Sequence, residues 1–480
     1  MTQAYHPRPW QPLGIDHIVE HRRCALWAGM GLGKTSMTLT ALDQIDMLRG
    51  DAWPALALGP LRVARKVWSD ETRKWHHTAH LEISRVVGTQ AEREAALKRP
   101  AHIYSMNYDV VPWLITYLKH AGYMPFRTVI SDESRKLHAF RVKQGGAMTR
   151  ALHELAWHDR IRHFIELTGT PSPNGLKGLW GQLYFLDRGK RLGLTYESFE
   201  NRWFAFKRVR DAVNAHKTHI QPIILPNAHT EIHDLVKDLC LSIDARDWFD
   251  LKDPIKRVIE VELPEPAMKL YRQMERDFFI RLENHEIEAF NAASKSTKLL
   301  QLAGGAAYLD PDVLNDEDPR ARAYKVVHDA KLEALASIVE EAEGMPLLVF
   351  YSFKSDVPRI QKLFPKARVL KSEQDEDDFK AGKIDMLLAH PKSAGHGIDG
   401  FQHVTNIAVF FNTSWDLELR QQAIERIGPT RQMQAGLERP VWVYDIVAKG
   451  TIDELVLLRH ETKRSVQDLL IEATKRGVEA

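Results

Sequence analysis

A glycine-rich loop near the N-terminus constrains this chain more than any other segment. Ala28 to Thr35 reads AGMGLGKT and lies between an apolar run, Cys24 to Trp27, and a segment whose apolar residues have helical spacing. A strand, a glycine loop and a helix in this order can surround a phosphate with backbone N–H groups and the positive end of the helix dipole. The loop therefore predicts a nucleotide-binding site, and the alternative is a glycine-rich turn that caps an ordinary helix.

The phosphate-loop pattern also assigns tasks to individual residues. Lys34 is expected to reach the β- and γ-phosphates, and the Thr35 hydroxyl is expected to hold Mg²⁺. The strict pattern has glycine at the position where this chain has Ala28. The residues expected to contact the nucleotide in this segment are Gly29, Met30, Gly31, Leu32, Gly33, Lys34, Thr35 and Ser36.

Length and composition limit the class of protein. A chain of 480 residues is too long for a single core and predicts two to four domains. With 66 basic and 64 acidic residues the net charge is +2, so any DNA-binding surface must be a local groove. The N-terminus has no apolar signal region, and the chain has only two cysteines, far apart. These features predict a reducing, cytoplasmic location and no association with a membrane.

Short apolar runs alternate with helical stretches in two parts of the chain. Strand-like runs such as ALALGP and RTVISDE occupy the first third, and MPLLVFYS and VWVYDIVA are examples from the last third. Such alternation predicts an α/β fold in which each half has a parallel sheet between helices. The predicted domains are a first lobe over residues 1–175, helical insertions and a linker over 176–322, and a second lobe over 323–480.

A carboxylate pair ends one of the strand-like runs. An NTPase needs a carboxylate for Mg²⁺ and a base for the attacking water. Asp132 and Glu133 supply both after the apolar run that starts at Thr128, and ligand sites of open α/β sheets lie at such strand ends. We therefore expect Asp132 to contact Mg²⁺ and Glu133 to orient and deprotonate the water. An Asp-Glu pair on an ordinary surface is the alternative.

Further motifs follow in a characteristic order. Leu167 to Pro171 reads LTGTP, Asn174 follows, and then comes LWGQLYFLDRGKRLG. Together with AGMGLGKT and DESR, this order resembles superfamily 2 helicases, specifically the Swi/Snf-type ATPases of chromatin remodellers and their short bacterial and phage relatives. That family also lacks the first glycine of the strict loop, in agreement with Ala28. The resemblance implies two RecA-like lobes with ATP bound to the first.

The resemblance extends over nearly the whole chain. Arg8 to Gln11 resembles the family's LR-x-YQ, in which the glutamine reads adenine; a proline-rich tail is the alternative. Lys392 to Asp399 resembles the family's T-x-AGG-x-G-x-N, with aspartate in place of asparagine. Asp399 would repel DNA phosphate, so we expect it to point elsewhere. The residues implied to couple ATP to lobe motion are Thr168, Gly169, Thr170, Gly395, Gly397 and Gln422.

Residues 422–432, QAIERIGPTRQ, resemble the family's arginine motif Q-A-x-x-R-x-x-R-x-G-Q. The resemblance implies that an arginine of the second lobe stabilises the charge that spreads over the γ-phosphoryl oxygens in the transition state. Arg426 matches the first arginine of the pattern. Pro429 occupies the place of the second and is expected to end a helix, and the nearest basic residue is Arg431. Either arginine can serve, and ion pairing at a helix end is the alternative for both.

The function implied by the resemblance is an ATP-dependent DNA translocase that hydrolyses ATP when bound to DNA, with ATP and Mg²⁺ as cofactors. Duplex DNA is the expected partner, ahead of single strands and RNA. One alternative is a strand-separating DNA or RNA helicase, which shares the motor residues, although the sequence shows no obvious wedge hairpin. The other is an ATP-switched DNA clamp or assembly factor without motor activity.

Overall fold

The chain folds into two compact α/β units that divide after Asp250. The computed structural model describes residues 2–142, 146–169, 171, 176–210, 218–283, 296–308, 323–394 and 398–462. We call the described residues up to Asp250 unit 1 and those from Leu251 unit 2. Each unit has its own parallel sheet with helices, so the predicted fold class, two RecA-like parallel-sheet lobes, is confirmed.

Unit 1 is built on a seven-stranded parallel sheet. The strands of the unit are β1 (Arg23–Ala28), β2 (Ala55–Gly59), β3 (Ile83–Arg85), β4 (Ile103–Asn107), β5 (Thr128–Asp132), β6 (His163–Thr168), β7 (Phe204–Arg210), β8 (Thr218–Ile224) and β9 (Cys240–Ile243). The sheet has the order β3-β4-β2-β5-β6-β1-β9. β2, β5 and β6 are buried at every position, as expected for central strands that are covered on both faces.

The helices of unit 1 connect these strands. They are α1 (Gln11–Glu20), α2 (Lys34–Arg49), α3 (Trp68–Lys74), α4 (Gln90–Lys98), α5 (Val111–Ala121), α6 (Ala147–Ala156), α7 (Leu179–Asp187), α8 (Tyr196–Trp203) and α9 (Ala228–Val236). Short turns are the π-helical Val63–Val67 and the 3-10 segments His76–Thr78, Tyr108–Val110, Ser134–Ala139, Leu176–Gly178 and Ala245–Asp247. Because the sheet is parallel, the carboxyl ends of β1, β4, β5 and β6 lie at one edge, where their loops meet.

Unit 2 contains a six-stranded parallel sheet and a small antiparallel pair. The strands are β10 (Ile255–Val261), β11 (Ala306–Tyr308), β12 (Tyr324–Val326), β13 (Leu347–Phe350), β14 (Arg368–Val369), β15 (Met386–Ala389), β16 (Ile407–Phe410) and β17 (Trp442–Ala448). The sheet order is β10-β17-β16-β13-β15-β14, and β11 pairs with β12. The described part of unit 2 therefore repeats the parallel architecture of unit 1 with a different strand order.

The helices of unit 2 cover both faces of its sheet. They are α10 (Glu265–Glu283), α11 (Thr297–Ala303), α12 (Ala330–Glu341), α13 (Asp356–Leu363), α14 (Glu373–Lys380), α15 (Pro391–Ala394), α16 (Leu417–Ile424), α17 (Pro429–Gln434) and α18 (Ile452–Thr462), with a 3-10 turn at Phe401–His403. Side chains alternate across a strand, so successive residues enter opposite cores. Leu348 and Ala408 enter the core that also buries Ile398 and Ile427. Within the described ranges, every helix is too short or too polar to cross a membrane.

The division after Asp250 differs from the predicted boundaries at residues 175 and 322. The region predicted to hold helical insertions contributes β9 to the sheet of unit 1, beside β1, and β10 to the sheet of unit 2, beside β17. It also contains the hairpin of β7 and β8, which pair antiparallel from Phe204 opposite Ile224 to Arg210 opposite Thr218. The sequence missed these strands because short edge strands carry a weak periodic signal and pair with partners far along the chain.

Candidate functional site

The glycine-rich loop lies at the carboxyl edge of the unit 1 sheet. β1 ends at Ala28 and α2 starts at Lys34, so the strand, loop and helix form in the predicted order. Gly31 and Gly33 have φ angles of 76° and 84°, in the left-handed region that favours glycine. A Cβ at Gly33 would also lie 2.3 Å from Gln11 Nε2. Backbone conformation therefore favours glycine at position 33, and any larger residue would also displace the Gln11 side chain.

Lys34 directs its ammonium group back onto the loop. Nζ donates to Ala28 O at 2.8 Å and to Gly29 O at 3.3 Å. The side chains of Lys34 and Thr35 are half-buried in the first turn of α2. A cation and free N–H groups at a helix N-terminus are suited to bind an anion such as phosphate.

The segment that contains Trp10 and Gln11 supports the loop from the N-terminal side. The Trp10 indole donates to Leu32 O at 3.0 Å, and Gln11 Nε2 donates to Ser36 Oγ at 3.3 Å. Ser36 in turn donates to Gly33 O at 2.9 Å. Trp10 and Gln11 are both buried, so this segment is part of the folded unit and not a loose tail.

The carboxylate pair lies at the end of β5, at the same edge of the sheet. Asp132 is only 8% exposed, and Glu133 is half-buried with left-handed φ and ψ angles of 62° and 51°. Burial, followed by the negative charge of Glu133, raises the pKa of Asp132 to about 7, and the Lys34 ammonium offsets part of this rise. A left-handed residue with a side chain costs about 1–2 kcal/mol, and such strain is concentrated at functional sites.

Tyr108 holds the backbone of this carboxylate turn from the loop after β4. Its hydroxyl donates to Asp132 O at 2.8 Å and lies 2.7 Å from Ser131 Oγ. Burial raises the pKa of Tyr108 well above its usual range, so the phenol keeps the proton that it donates. The end of β5 is therefore anchored from a strand that is not adjacent to it in the sheet.

A chain of hydrogen bonds connects the carboxylate turn with the LTGTP loop. Ser134 Oγ donates to Gln182 Oε1 at 3.3 Å, and Gln182 Nε2 donates to Pro171 O at 2.6 Å. Gly169 approaches the glycine-rich loop so closely that a Cβ there would lie 3.4 Å from Ala28 O and 3.6 Å from Met30 N. The structure therefore brings three separate sequence motifs together at one edge of the sheet.

Glu166 is a buried carboxyl group beneath this edge. It is fully buried in β6, opposite Ala25 of β1 and Ser131 of β5. Burial raises its pKa well above the ordinary value, and the nearby Ser134 hydroxyl offsets this only in part. Ser134 directs its hydrogen to Gln182, so neither Glu166 oxygen has a well-aligned hydrogen-bond partner among the described residues. This environment favours the protonated, neutral form of Glu166.

The donors at the edge of unit 1 fit a nucleotide phosphate with a divalent cation. The close approach at Gly33 and the left-handed glycines form a backbone cradle, and Lys34 adds a positive charge. Asp132 and Thr35 offer the oxygen ligands that Mg²⁺ prefers, and a cation would relieve the cost of ionising the buried Asp132 carboxyl. Mg²⁺ typically takes only one or two protein carboxylates beside substrate phosphates, so a larger ligand cluster is not required.

In unit 2, the two candidate arginines both contact the last two residues of the motif from Lys392 to Asp399. Arg426 Nη1 donates to Ile398 O at 2.8 Å. Arg431 Nη1 donates to Asp399 Oδ1 in an ion pair. Asp399, which we expected to point away from DNA phosphate, has its carboxylate on Arg431. Two positions that depart from the family pattern are therefore paired with each other.

Pro429 does not end the helix of the arginine motif, contrary to the prediction. α16 already ends at Ile424, and Pro429 is the first residue of α17. Proline is favoured at this first position because its missing N–H would have no helical partner there. The new helix carries Arg431 in its first turns, two positions beyond the place that the family pattern indicates.

Two of the remaining residues implied in coupling, Thr168 and Gln422, lie within the described residues, and their roles are untested predictions. Thr168 is buried at the end of β6. Gln422 is buried on α16, where its Nε2 donates to Glu418 Oε1 at 2.9 Å. Thr170, Gly395 and Gly397 lie outside the described residues. Their assignment to coupling stays a prediction.

Several supporting residues were missed from the sequence. Tyr108 and Glu166 have no local motif, because they reach the site only through the packing of strands distant in sequence. Gln182 lies within the quoted segment LWGQLYFLDRGKRLG, so its position was available as a signal, but its contact with Pro171 was not. Trp10 stands next to Gln11 and could have been assigned with it.

Comparisons with known proteins agree in placing the match over most of the chain. Residues 17–307 match the family described as "SNF2-related domain". The protein p41 of Acyrthosiphon pisum secondary endosymbiont phage 1 is 46% identical over 476 residues, covering 99% of this chain and 100% of p41.

Two further proteins are similar to this chain at lower identity. YwqA of Bacillus subtilis, whose name provisionally assigns an ATP-dependent helicase/translocase, is 23% identical over 496 residues, covering 97% of this chain and 49% of YwqA. This chain thus spans about half the length of that relative. The SWI2/SNF2 ATPase core of Sulfolobus solfataricus, solved with double-stranded DNA, aligns with a TM-score of 0.43 and 19% identity, covering 98% of this chain and 95% of that one.

Proposed function

Because this chain belongs to the SNF2-related family, we propose that it is a nucleic-acid-dependent ATP hydrolase that translocates along duplex DNA. The observation that carries the proposal is the meeting of Lys34, Asp132 and Glu133 at one edge of the unit 1 sheet. The provisional name of YwqA, an ATP-dependent helicase/translocase, supports an ATP-driven motor activity. Movement along DNA without strand separation is what the sequence resemblance implies.

Each residue of the unit 1 edge has a task in this proposal. The backbone N–H groups of residues 29–33 and the Lys34 ammonium bind the β- and γ-phosphates. Glu133 accepts a proton from the attacking water and orients it, and its strained backbone holds the carboxylate in one place. Asp132 and Thr35 hold Mg²⁺, which when bound neutralises charge on the phosphate oxygens. Gln11, Gly29, Met30, Gly31, Leu32, Gly33 and Ser36 complete the nucleotide contacts.

The hydrogen-bond chain from Ser134 to Pro171 gives the site a route for coupling. A change at the γ-phosphate that shifts Glu133 also shifts Ser134, which follows it in the chain and bonds Gln182. Gln182 holds Pro171 in the LTGTP loop, where Thr168 and Gly169 lie. In unit 2 we assign stabilisation of the transition state to Arg426 or Arg431, and coupling to Gln422.

The test is an ATPase assay with duplex DNA, single-stranded DNA, RNA and no nucleic acid, paired with displacement of a triplex-forming strand and of a duplex strand. We expect duplex DNA to stimulate turnover most, and added salt to weaken the stimulation, because phosphate contacts release counterions. Triplex displacement without duplex unwinding supports the translocase. Equal turnover without nucleic acid would refute a DNA motor, and stimulation without any displacement would point to a switched clamp.

Strand separation is a second candidate, because the structure contains the β7–β8 hairpin that the sequence did not reveal. Phe206 and Ile223 are 47% and 44% exposed at its base, where apolar side chains could contact bases. If duplex unwinding is observed, replacing residues 205–223 with a short Gly-Ser linker should abolish it while retaining DNA-stimulated ATPase activity. Unwinding that survives this replacement would exclude the hairpin as the separating element.

A further inference from the structure

The strand β10 lies at one edge of the unit 2 sheet, and among the described residues its outer side has no strand partner. It comes first in the sheet order and pairs in parallel with β17. Ile255 N accordingly donates to Val441 O at 2.8 Å, and Lys449 N donates to Val261 O at 2.9 Å. The backbone groups of the odd-numbered residues of β10 therefore face β17, and those of the even-numbered residues between them face outward.

The outward-facing residues are Lys256, Val258 and Glu260, and all of them are exposed to solvent. Their side chains share one face of the sheet because they are two residues apart. Val258 is 41% exposed, although strands of parallel sheets are usually covered on both faces. The edge therefore presents a row of backbone donors and acceptors with which a further strand can pair.

The order of side chains along this edge is complementary to itself. When two copies of β10 pair antiparallel about Val258, the two valines lie opposite each other. Lys256 of each copy then lies opposite Glu260 of the other, so opposite charges meet at both ends of the pairing. Cross-strand pairs of opposite charge stabilise a sheet, whereas like charges directly opposite each other destabilise it. Each outward-facing residue also meets another outward-facing residue, as the hydrogen bonds of an antiparallel ladder require.

The other symmetric registers are less favourable. Centring the pair on Lys256 or on Glu260 places two like charges opposite each other. Centring it on residue 257 or 259 places Val258 opposite a charged side chain. Of these registers, the one centred on Val258 combines an apolar contact at the axis with two pairs of opposite charge.

We propose that β10 is a self-association surface, through which two copies of this chain join their unit 2 sheets across a two-fold axis at Val258. The charge pattern favours a second copy over an unrelated peptide. Glu260 lies 3.9 Å from Lys449, but these side chains are 60% and 59% exposed, so that ion pair is weak and leaves the carboxylate available. One pair of edge strands buries less surface than a standard interface, so the dimer is weak and depends on concentration.

The first test is sedimentation velocity of the full chain without nucleic acid. We expect the mean mass of wild type to rise toward that of a dimer between about 10 and 100 µM, the range of a small interface. Val258→Lys places two ammonium groups at the axis and should lower the association constant about tenfold or more. Val326→Lys is the matched control, because Val326 is 46% exposed on β12 of the same unit.

A wild-type chain that stays monomeric up to about 100 µM would overturn the proposal, and the charges of β10 would then be ones that protect an edge from pairing. An equal loss of association in Val258→Lys and Val326→Lys would overturn it too.

Mixing two charge variants separates pairing of β10 from a general effect of charge. Lys256→Glu and Glu260→Lys each place like charges opposite each other in a dimer of one variant, so each should associate about tenfold or more weakly than wild type. An equimolar mixture should recover association, because one copy is then acidic and the other basic at both positions. A mixture that associates no better than its components would refute the pairing.

Cross-linking tests the register. Cys24 and Cys240 are the only cysteines of the chain and both are buried, so an introduced cysteine is the accessible thiol. A mixture of Lys256→Cys with Glu260→Cys should be joined by a short thiol cross-linker. Lys256→Cys alone should react far less, because its two thiols would lie about 14 Å apart along the strands. Equal yields would refute the register. These measurements do not involve ATP, so self-association and the proposed hydrolysis stand or fail separately.

Discussion

Buried charged groups have different surroundings in the two units. In unit 1, burial raises the pKa values of Asp132 and Glu166, and the Lys34 ammonium and the Ser134 hydroxyl, respectively, offset these rises only in part. In unit 2, the buried charges meet direct partners: Arg420 binds both oxygens of Asp445 at 2.6 and 2.7 Å, and Lys331 lies 2.6 Å from Asp453. The described part of unit 2 thus neutralises its own interior, whereas unit 1 keeps carboxyl groups that favour an added cation or proton.

Burial by itself does not explain this difference. Asp356 of unit 2 is also buried, and burial raises its pKa to about 6. Its Oδ2 nevertheless accepts hydrogen bonds from Phe353 N at 2.9 Å, Ser352 N at 3.2 Å and Asn412 Nδ2 at 2.9 Å. The buried carboxyl groups of the two units therefore differ in their polar partners and not in their extent of burial. Uncompensated groups in a cleft or at a sheet edge are typical of functional sites, and fully paired ones are typical of structural roles.

The largest effect should come from breaking the unit 1 site itself. Lys34→Ala and Glu133→Gln should each lower DNA-stimulated kcat by about a thousandfold or more, because phosphate charge and the attacking water lose their partners. Steady-state ATPase measurements with saturating duplex DNA test this. Lys98→Ala, at an exposed position on α4, is the control and should keep wild-type turnover. Wild-type kcat in either variant would refute the assignment of that residue to the ATP site.

A smaller effect, on stability and not on chemistry, should follow from breaking a unit 2 pair. Lys331→Met leaves the buried Asp453 without its cation and should lower the free energy of unfolding of unit 2 by about 3–5 kcal/mol. Urea denaturation followed by fluorescence and circular dichroism measures it. Adding Asp453→Leu should recover part of the loss, since the uncompensated charge is then gone.

The control for that pair is a surface one in the same unit. Lys383 lies 3.1 Å from Asp378 and is 67% exposed, so Lys383→Met should cost less than about 1 kcal/mol. Equal losses for Lys331→Met and Lys383→Met would contradict the contrast between buried pairing in unit 2 and uncompensated groups in unit 1.

The smallest effect is expected for Glu166→Gln. It is a difference in stability from wild type that is absent in acid and grows with pH. The folded-state pKa of Glu166 is raised, so above the ordinary carboxyl pKa the unfolded chain releases a proton that the folded chain retains. Wild-type stability should therefore fall relative to Glu166→Gln as pH rises from about 4.3 toward the folded pKa, because glutamine has no proton to lose. Thermal unfolding over a pH series measures the gap.

Glu82→Gln, at a side chain that is 63% exposed, is the control for the exchange of a glutamate for a glutamine. A Glu166→Gln variant that loses stability relative to wild type as pH rises would mean that Glu166 is ionised and paired in the folded chain.

Much of the unit 1 site was accessible from the sequence because its motifs are local. AGMGLGKT needs glycine at particular backbone positions, and the observed φ angles at Gly31 and Gly33 agree with that requirement. Asp132 was assigned to a strand end from an apolar run, and β5 does end there. The hairpin, β9 and the start of α17 at Pro429 were not accessible, since edge pairing and helix starts depend on neighbours elsewhere in the fold.

The order of motifs, the α/β class and the side chains available for phosphate chemistry follow from the residues of the chain alone, because they depend on residue type and short-range spacing. Which buried charges have compensating partners follows from the packing of the folded chain. The raised pKa of Asp132 comes from burial and from Glu133, against the Lys34 ammonium, and the partner of Arg431 is Asp399, 32 residues earlier in the chain. Electrostatic energy depends on distance and exposure in space, and neither quantity follows from position along the chain.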